Sequence, residues 1–203
     1  MFITFEGIDG CGKSTQLKLL SKYFISQGKE VLCLREPGGL PLSEDIRSIL
    51  LNSEEHINPI TELLLFEASR SHLVEHIIEP SLKAGKIILC DRYFDSTTAY
   101  QGYGRGIDLD LIHKLNDIAT MGRIPDITIL LDVDYDEAMK RSKKRTHDRI
   151  ETSGKEFYLK LIDGFRELAD KSPERFIKIY SDEEIPIIHN RIVDAINIKM
   201  QLK

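Results

Sequence analysis

Apolar and polar positions along the chain alternate between two kinds of segment. Phe2 to Phe5 is a short apolar, β-prone run, and Ser14 to Gln27 is an amphipathic stretch with helical spacing. Four further strand-like runs follow: Glu30 to Leu34, Lys86 to Cys90, Ile127 to Val133 and Phe176 to Tyr180. Ile87-Ile88-Leu89-Cys90 and Ile127-Thr128-Ile129-Leu130-Leu131 have almost no polar interruption, which suits strands buried on both faces. Gly28 and Gly85 fall where helix C-caps are expected, because the left-handed conformation there costs glycine little. Asn58-Pro59 reads as an N-cap and first-turn proline, opening a long helix to about Leu82. Strands separated by helices predict an α/β fold with a parallel sheet covered on both sides. The sequence shows no internal repeat, low-complexity tract or linker.

Length and composition narrow the picture. At 203 residues the chain suffices for one domain with a substantial core. Its 41% hydrophobic and 30% charged residues are ordinary for a globular protein. No run of eighteen apolar residues predicts a membrane span, and the opening strand does not resemble a signal peptide. A net charge of −5 argues against general nucleic-acid binding, so anions must be met by local basic clusters. Cys11, Cys33 and Cys90 form no CxxC pair, which points to a reducing cytoplasm. Cys33 and Cys90, in apolar runs, are expected in the core. Cys11 lies near Lys13 and a helix N-terminus, where a thiolate is favoured. It reads first as a small residue that fits its loop and second as a catalytic thiol, and its alkylation is expected to block nucleotide binding, with ATP protecting it.

The chemistry starts between the first strand and the first helix. Gly7, Gly12, Lys13 and Ser14 satisfy G-x-x-x-x-G-K-[ST], a phosphate-binding loop. Glycines let backbone N–H groups converge on a phosphate, and the helix N-terminus adds its positive end. Lys13 supplies a point charge and Ser14 a hydroxyl for Mg²⁺. Ligands of a parallel sheet bind beyond the C-terminal strand ends. That rule gathers Asp9, the Arg35-Glu36-Pro37-Gly38-Gly39 segment, Asp91-Arg92-Tyr93 and Asp132-Val133-Asp134. Asp91 is placed to hold Mg²⁺ directly or through water, with Arg92 available for a second phosphate. The same two residues could also merely close a strand end.

Three other stretches invite chemistry. Lys140 to Arg149 holds six basic residues and one acidic one. Arg141, Arg145 and Arg149 are spaced four apart, as on one helical face. Such runs are usually solvated surface, but beside a phosphate loop this one suggests a lid at about 140–154 that carries arginines to a transferring phosphoryl group. Phe66 and Arg70 sit four apart in the helix begun at Pro59. Spacing alone reads first as a core ring and a solvated arginine, and second as a stacking and hydrogen-bonding pair for a base. His72 and His76 lack the HExxH order and a third ligand, so they read as surface residues. Asp95 to Arg105, with its glycines and hydroxyls, reads equally as a pocket-lining or a plain surface loop.

Taken together, FEGIDGCGKST at 5–15, REPGG at 35–39, LLFEASR at 64–70, DRYFDSTTAYQGYGRGID at 91–108, PDITILLDVD at 125–134 and RSKKRTHDRIE at 141–151 resemble the bacterial thymidylate kinases, nucleoside monophosphate kinases with the P-loop fold. The resemblance covers nearly the whole chain. It implies a three-layer fold with a five-stranded parallel sheet and a small basic lid. It also implies transfer of the ATP γ-phosphate to dTMP with Mg²⁺, giving dTDP and ADP for dTTP synthesis, in a homodimer. The ATP loop would comprise Gly7, Ile8, Asp9, Gly10, Cys11, Gly12, Lys13, Ser14 and Thr15. Asp9 would also organise the acceptor phosphate and its 3′-OH. Arg35 and Arg92 would hold the acceptor phosphate, with Pro37 beside them. Phe66 would stack on thymine and Arg70 would donate to its O4. Ser96, Thr97 and Gln101 would lie along the base edge, and Tyr100 would disfavour a ribose 2′-OH. Gly10 stands where another subgroup has an arginine, so the arginines of this chain lie in the lid, and which of Arg141, Arg145 and Arg149 reaches the phosphoryl group stays open. The sequence has neither the NKxD of a GTPase switch nor an LSGGQ-like signature. A kinase for another nucleotide or deoxynucleoside is the nearest rival.

Overall fold

The computed structural model describes residues 1–142, 149–150 and 153–201. Strand β1 (Phe2–Glu6) leads through the glycine loop into helix α1 (Lys13–Ser26). Strand β2 (Val31–Arg35) follows, then helices α2 (Pro41–Asn52) and α3 (Pro59–Leu73). A π-helical turn (Val74–Ile78) joins α3 to α4 (Glu79–Lys83). Next come β3 (Ile87–Asp91), α5 (Phe94–Thr97), a second π-helical stretch (Thr98–Gly104) and α6 (Leu109–Thr120). Strand β4 (Ile127–Asp132), helices α7 (Tyr135–Ser142) and α8 (Lys155–Lys171), strand β5 (Phe176–Tyr180) and α9 (Ile185–Gln201) complete the order.

The five strands pair in parallel in the order β2-β3-β1-β4-β5. β1 is central and buried along its whole length, with Phe5 beside Asp91 on one side and Ile129 on the other. The predicted three-layer α/β fold is therefore present, with strand boundaries within a residue or so of the sequence reading. The registry sets Glu6, Arg35 and Asp91 at neighbouring strand ends, so their charges meet at one edge of the sheet. Among the described residues, no helix is long and apolar enough to cross a membrane.

Two expectations change. The helix from Pro59 does not run as one α-helix to Leu82. Pro80 has no N–H to give and its ring crowds the preceding turn. The π-turn absorbs this, with Glu79 N donating to Val74 O five residues back. Asn58 caps α3 as expected, its side chain accepting from Thr61 N at 2.9 Å. Cys33 is exposed rather than in the core, because β2 is an edge strand whose residues are at most partly buried.

Candidate active site

The phosphate loop begins where β1 stops. Gly7 has φ 132°, and a Cβ there would stand 2.6 Å from Leu131 O on β4. Gly10 has φ 83°, and its Cβ would stand 2.3 Å from Ala138 O on α7. Side chains at either position would push the loop off the sheet and helix that support it. Lys13 curls back over the loop, donating to Gly7 O at 3.0 Å and Ile8 O at 2.9 Å. Cys11 is buried, and burial pushes its thiol above the ordinary value despite the nearby Lys13 and Arg92 charges. The thiolate expectation is therefore corrected: the site's cations do not offset the lost solvation.

Ser14 and Asp91 do come together, Ser14 Oγ donating to Asp91 Oδ2 at 2.6 Å. A hydroxyl and one carboxylate beside a phosphate cradle suit Mg²⁺, which keeps several waters and takes its other ligands from substrate phosphates. Among the described residues, no group of three His, Cys, Asp or Glu side chains forms a denser metal site. His76 is exposed, in line with a surface reading of the two histidines.

Arg92 is the hub. Its backbone is left-handed at φ 71°, an uncommon conformation for a long side chain. The guanidinium pays that strain back with four hydrogen bonds: to Gly7 O (3.0 Å), Ser96 Oγ (3.0 Å), Asp9 Oδ1 (2.7 Å) and Tyr100 OH (3.0 Å). Tyr100 OH in turn donates to Asp9 Oδ2 at 2.8 Å. Burial would raise the Asp9 carboxyl, but Arg92 and Lys13 outweigh it and hold Asp9 well below the carboxylate range. Behind this group, Glu6 at the end of β1 accepts from Tyr93 N (2.8 Å) and Ser96 Oγ (2.5 Å). Burial and the nearby Asp95 push the Glu6 carboxyl up to about 8.

Two cavities meet at this hub. The larger is bordered by the glycine loop, Arg35, Asp91, Arg141 and the Glu183–Ile188 segment. The smaller is bordered by Pro37, Phe66, Arg70, Ser96, Thr97, Tyr100 and Gln101. Asp9, Glu36, Arg47 and Arg92 border both. The Asp95–Arg105 stretch is thus a pocket wall, not a plain surface loop. Arg70 is buried rather than solvated. Its Nε donates to Glu36 Oε2 (2.8 Å), one Nη to Glu67 Oε1 (2.8 Å) and the other to Thr97 Oγ1 (2.8 Å). Burial lifts Glu36 to about 7 even with Arg70 beside it.

Two expected site residues hold protein partners of their own. Arg35 makes a two-pronged bond with Glu44 (3.0 and 2.9 Å) and is half exposed. Of the three lid arginines, Arg141 lies in α7 and Arg149 in a turn. Arg141 reaches Ser181 O at 2.7 Å and borders the larger cavity. Arg149 lies in a turn, donating to Leu50 O (3.0 Å) and pairing with Glu62. Arg145 lies outside the described residues. Sequence reasoning missed Glu6, Arg47, Glu62 and Glu67, and it gathered Glu36 only as a member of the strand-end segment, with no partner assigned.

A phosphate loop at the edge of a parallel sheet, opening onto a second, base-sized pocket across a shared arginine and aspartate, defines a P-loop phosphotransferase. A family profile described as Thymidylate kinase matches residues 5–192. The chain is 46% identical over 195 residues to the thymidylate kinase of Thermoanaerobacter sp. (strain X514), covering 96% of each. It is 49% identical over 206 residues to that of Prosthecochloris aestuarii, covering 97% of this chain and 92% of the relative. A crystal structure of thymidylate kinase from Ehrlichia chaffeensis superposes with a TM-score of 0.81 at 40% identity, over 97% of this chain and 98% of that one. The chain belongs to the thymidylate kinase family.

Proposed function

We propose that this chain transfers the γ-phosphate of ATP to dTMP, giving dTDP and ADP. The observation that carries the reading is the meeting of the two cavities at Asp9 and Arg92. A donor seated on the glycine loop and an acceptor seated in the smaller cavity would bring their phosphates to the same arginine. The acceptor phosphate needs no general base. The second pKa of a phosphate monoester is about 6, so it is largely a dianion near neutrality. Catalysis is then positioning plus charge neutralisation. Lys13 leaves the carbonyls of Gly7 and Ile8 for the donor phosphates, with Thr15 and the loop amides around them. Arg92 neutralises the acceptor phosphate and the transferring group. Asp9 holds Arg92 and Tyr100 in place and accepts from the acceptor sugar, while Tyr100 crowds the position of a 2′-hydroxyl. Mg²⁺, held by Ser14 and Asp91, would offset charge on the donor phosphates.

In the smaller cavity Phe66 offers a ring face for the base, and Arg70, aimed by Glu36 and Glu67, offers a donor to O4. Ser96, Thr97 and Gln101 line the base edge, and Pro37 and Arg35 lie on the phosphate side. Arg35 must exchange Glu44 for phosphate, a small rearrangement for an exposed pair. The basic segment at about 140–154 serves as a lid within a single domain, with Arg141 bordering the donor cavity. The reading extends to a homodimer working in the cytoplasm. A coupled ADP-release assay with Mg-ATP and dTMP, dUMP, dCMP, dGMP and AMP tests it. Strong turnover with dTMP, weaker with dUMP and negligible with AMP is expected. No turnover with dTMP in protein that binds ATP would overturn the substrate.

A further inference from the structure

Glu62 is a buried carboxylate outside both cavities, placed on the inner face of α3 two turns before Arg70. Its Oε1 accepts from Gln101 Nε2 at 2.9 Å and from Arg105 Nε at 3.2 Å. Its Oε2 pairs with Arg149 and lies 3.5 Å from Arg105 Nη2. Arg105 is itself fixed, its guanidinium 4.7 Å from the Phe157 ring centre and its Nη1 reaching Ser153 Oγ at 3.3 Å. Burial alone would raise Glu62, but the hydrogen bonds of Gln101 and Arg149 and the charge of Arg105 bring it below the ordinary carboxylate value. Glu62 is therefore ionised at neutral pH, and an ionised carboxylate only accepts.

That one-way chemistry fixes the neighbouring amide. Gln101 can turn only its NH₂ toward Glu62, so its carbonyl oxygen points to the other side of the amide plane. Gln101 is itself buried and borders the smaller cavity. Among the described residues, no donor reaches its Oε1. An acceptor is thus left at the cavity wall for whatever occupies it. Resting on the dTMP reading above, we propose that Glu62 is a specificity-determining positioning residue, which holds the Gln101 amide so that its oxygen faces the ring N3–H of an imide base. Thymine and uracil carry a donor at N3 beside the O4 acceptor that Arg70 serves. Cytosine carries an acceptor at N3 and would set two oxygen and nitrogen lone pairs against each other. A site built for one hydrogen-bond polarity rejects the opposite polarity steeply.

The test is the ratio of kcat/KM for dTMP to that for dCMP in Glu62→Gln. A glutamine at 62 can donate or accept, so the Gln101 amide is free to flip. The ratio is expected to fall at least tenfold, with KM for dTMP rising. Loss of the Arg105 and Arg149 contacts would lower kcat for both acceptors alike and leave the ratio unmoved. An unchanged ratio in folded Glu62→Gln would overturn the proposal. Glu62→Asp keeps the charge facing the two arginines but withdraws the acceptor from Gln101, so it reads the same ratio if the first variant does not fold. In a Gln101→Leu background the Glu62 substitution should leave the ratio unmoved, and a further fall there would also overturn the proposal. Wild-type protein that turns over no dTMP would instead defeat the substrate reading, so the two failures are distinguishable.

Discussion

Arg92 shows how one residue gathers a site. Its left-handed backbone is tolerated because four partners fix the guanidinium, and those partners come from the glycine loop, α5 and the second π-helical stretch. Arg92→Ala is expected to lower turnover by about 10³-fold while the melting transition stays cooperative. Steady-state kinetics with a thermal melt checks this, and a near-wild-type rate would remove Arg92 from the chemistry. Glu6, beneath it, makes a pH prediction. Folded Glu6 keeps its proton up to about pH 8, against an ordinary value of 4.5. Between those values the folded state binds more protons than the unfolded one. Its stabilising contribution is full below the ordinary value and is lost as pH rises through about 8. Glu6→Gln copies the neutral acid and cannot ionise. Relative to wild type the variant should gain about 2–3 kcal/mol between about pH 6 and pH 9. Denaturant melts at both values decide it.

At the scale of elements, the base pocket depends on how α3, α8 and the second π-helical stretch fit together. Phe66 stands at the wall of the smaller cavity, partly exposed and packed on the core. Phe66→Ala should weaken dTMP binding about tenfold or more while leaving ATP binding nearly unchanged, as titration calorimetry would show. Equal losses for both ligands would make the ring a packing residue. Gly164 in α8 lies under Tyr103, where an added Cβ would come within 2.7 Å of the ring. The contact involves the root of the tyrosine side chain, so no simple rotation relieves it. Alanine gains about 1 kcal/mol of helix propensity but incurs about 1–3 kcal/mol of overpacking. Gly164→Ala is therefore expected to lower the melting temperature and raise KM for dTMP, because Tyr103 follows Gln101 by two residues.

Across the whole molecule, thiol reactivity separates surface from core. Cys33 is exposed on the edge strand, while Cys11 and Cys90 are buried and burial raises both thiols. Alkylation of native protein should modify Cys33 alone and leave ATP binding intact, with the other two reacting only after unfolding. Mass spectrometry of digests reads this directly, and rapid native modification of Cys11 would contradict the packing of the loop. The two cavities are also a property of the whole. Residues from strand ends and from α1, α2, α3, α5, α7 and α9 border them, and only the parallel sheet brings these together.

The sequence by itself determined the glycine loop, the five strands and their parallel arrangement, because each is written in neighbouring residues: a spacing, a period, a cap. It also placed Asp9, Arg92, Ser14 and Asp91 at strand ends, where the sheet rule alone brings them near each other. Only the tertiary structure decided that Arg70 is buried in a carboxylate cage, that Arg35 faces Glu44, that Arg149 pairs with Glu62, and that Cys33 is exposed. Those outcomes rest on partners distant in sequence. Arg70 and Glu36 are 34 residues apart, Arg149 and Glu62 are 87 apart, and Ser96 and Glu6 are 90 apart. A local pattern records which residues prefer to be buried or helical. Which charge a buried arginine meets depends on the packing of elements, and no periodicity along the chain carries that information.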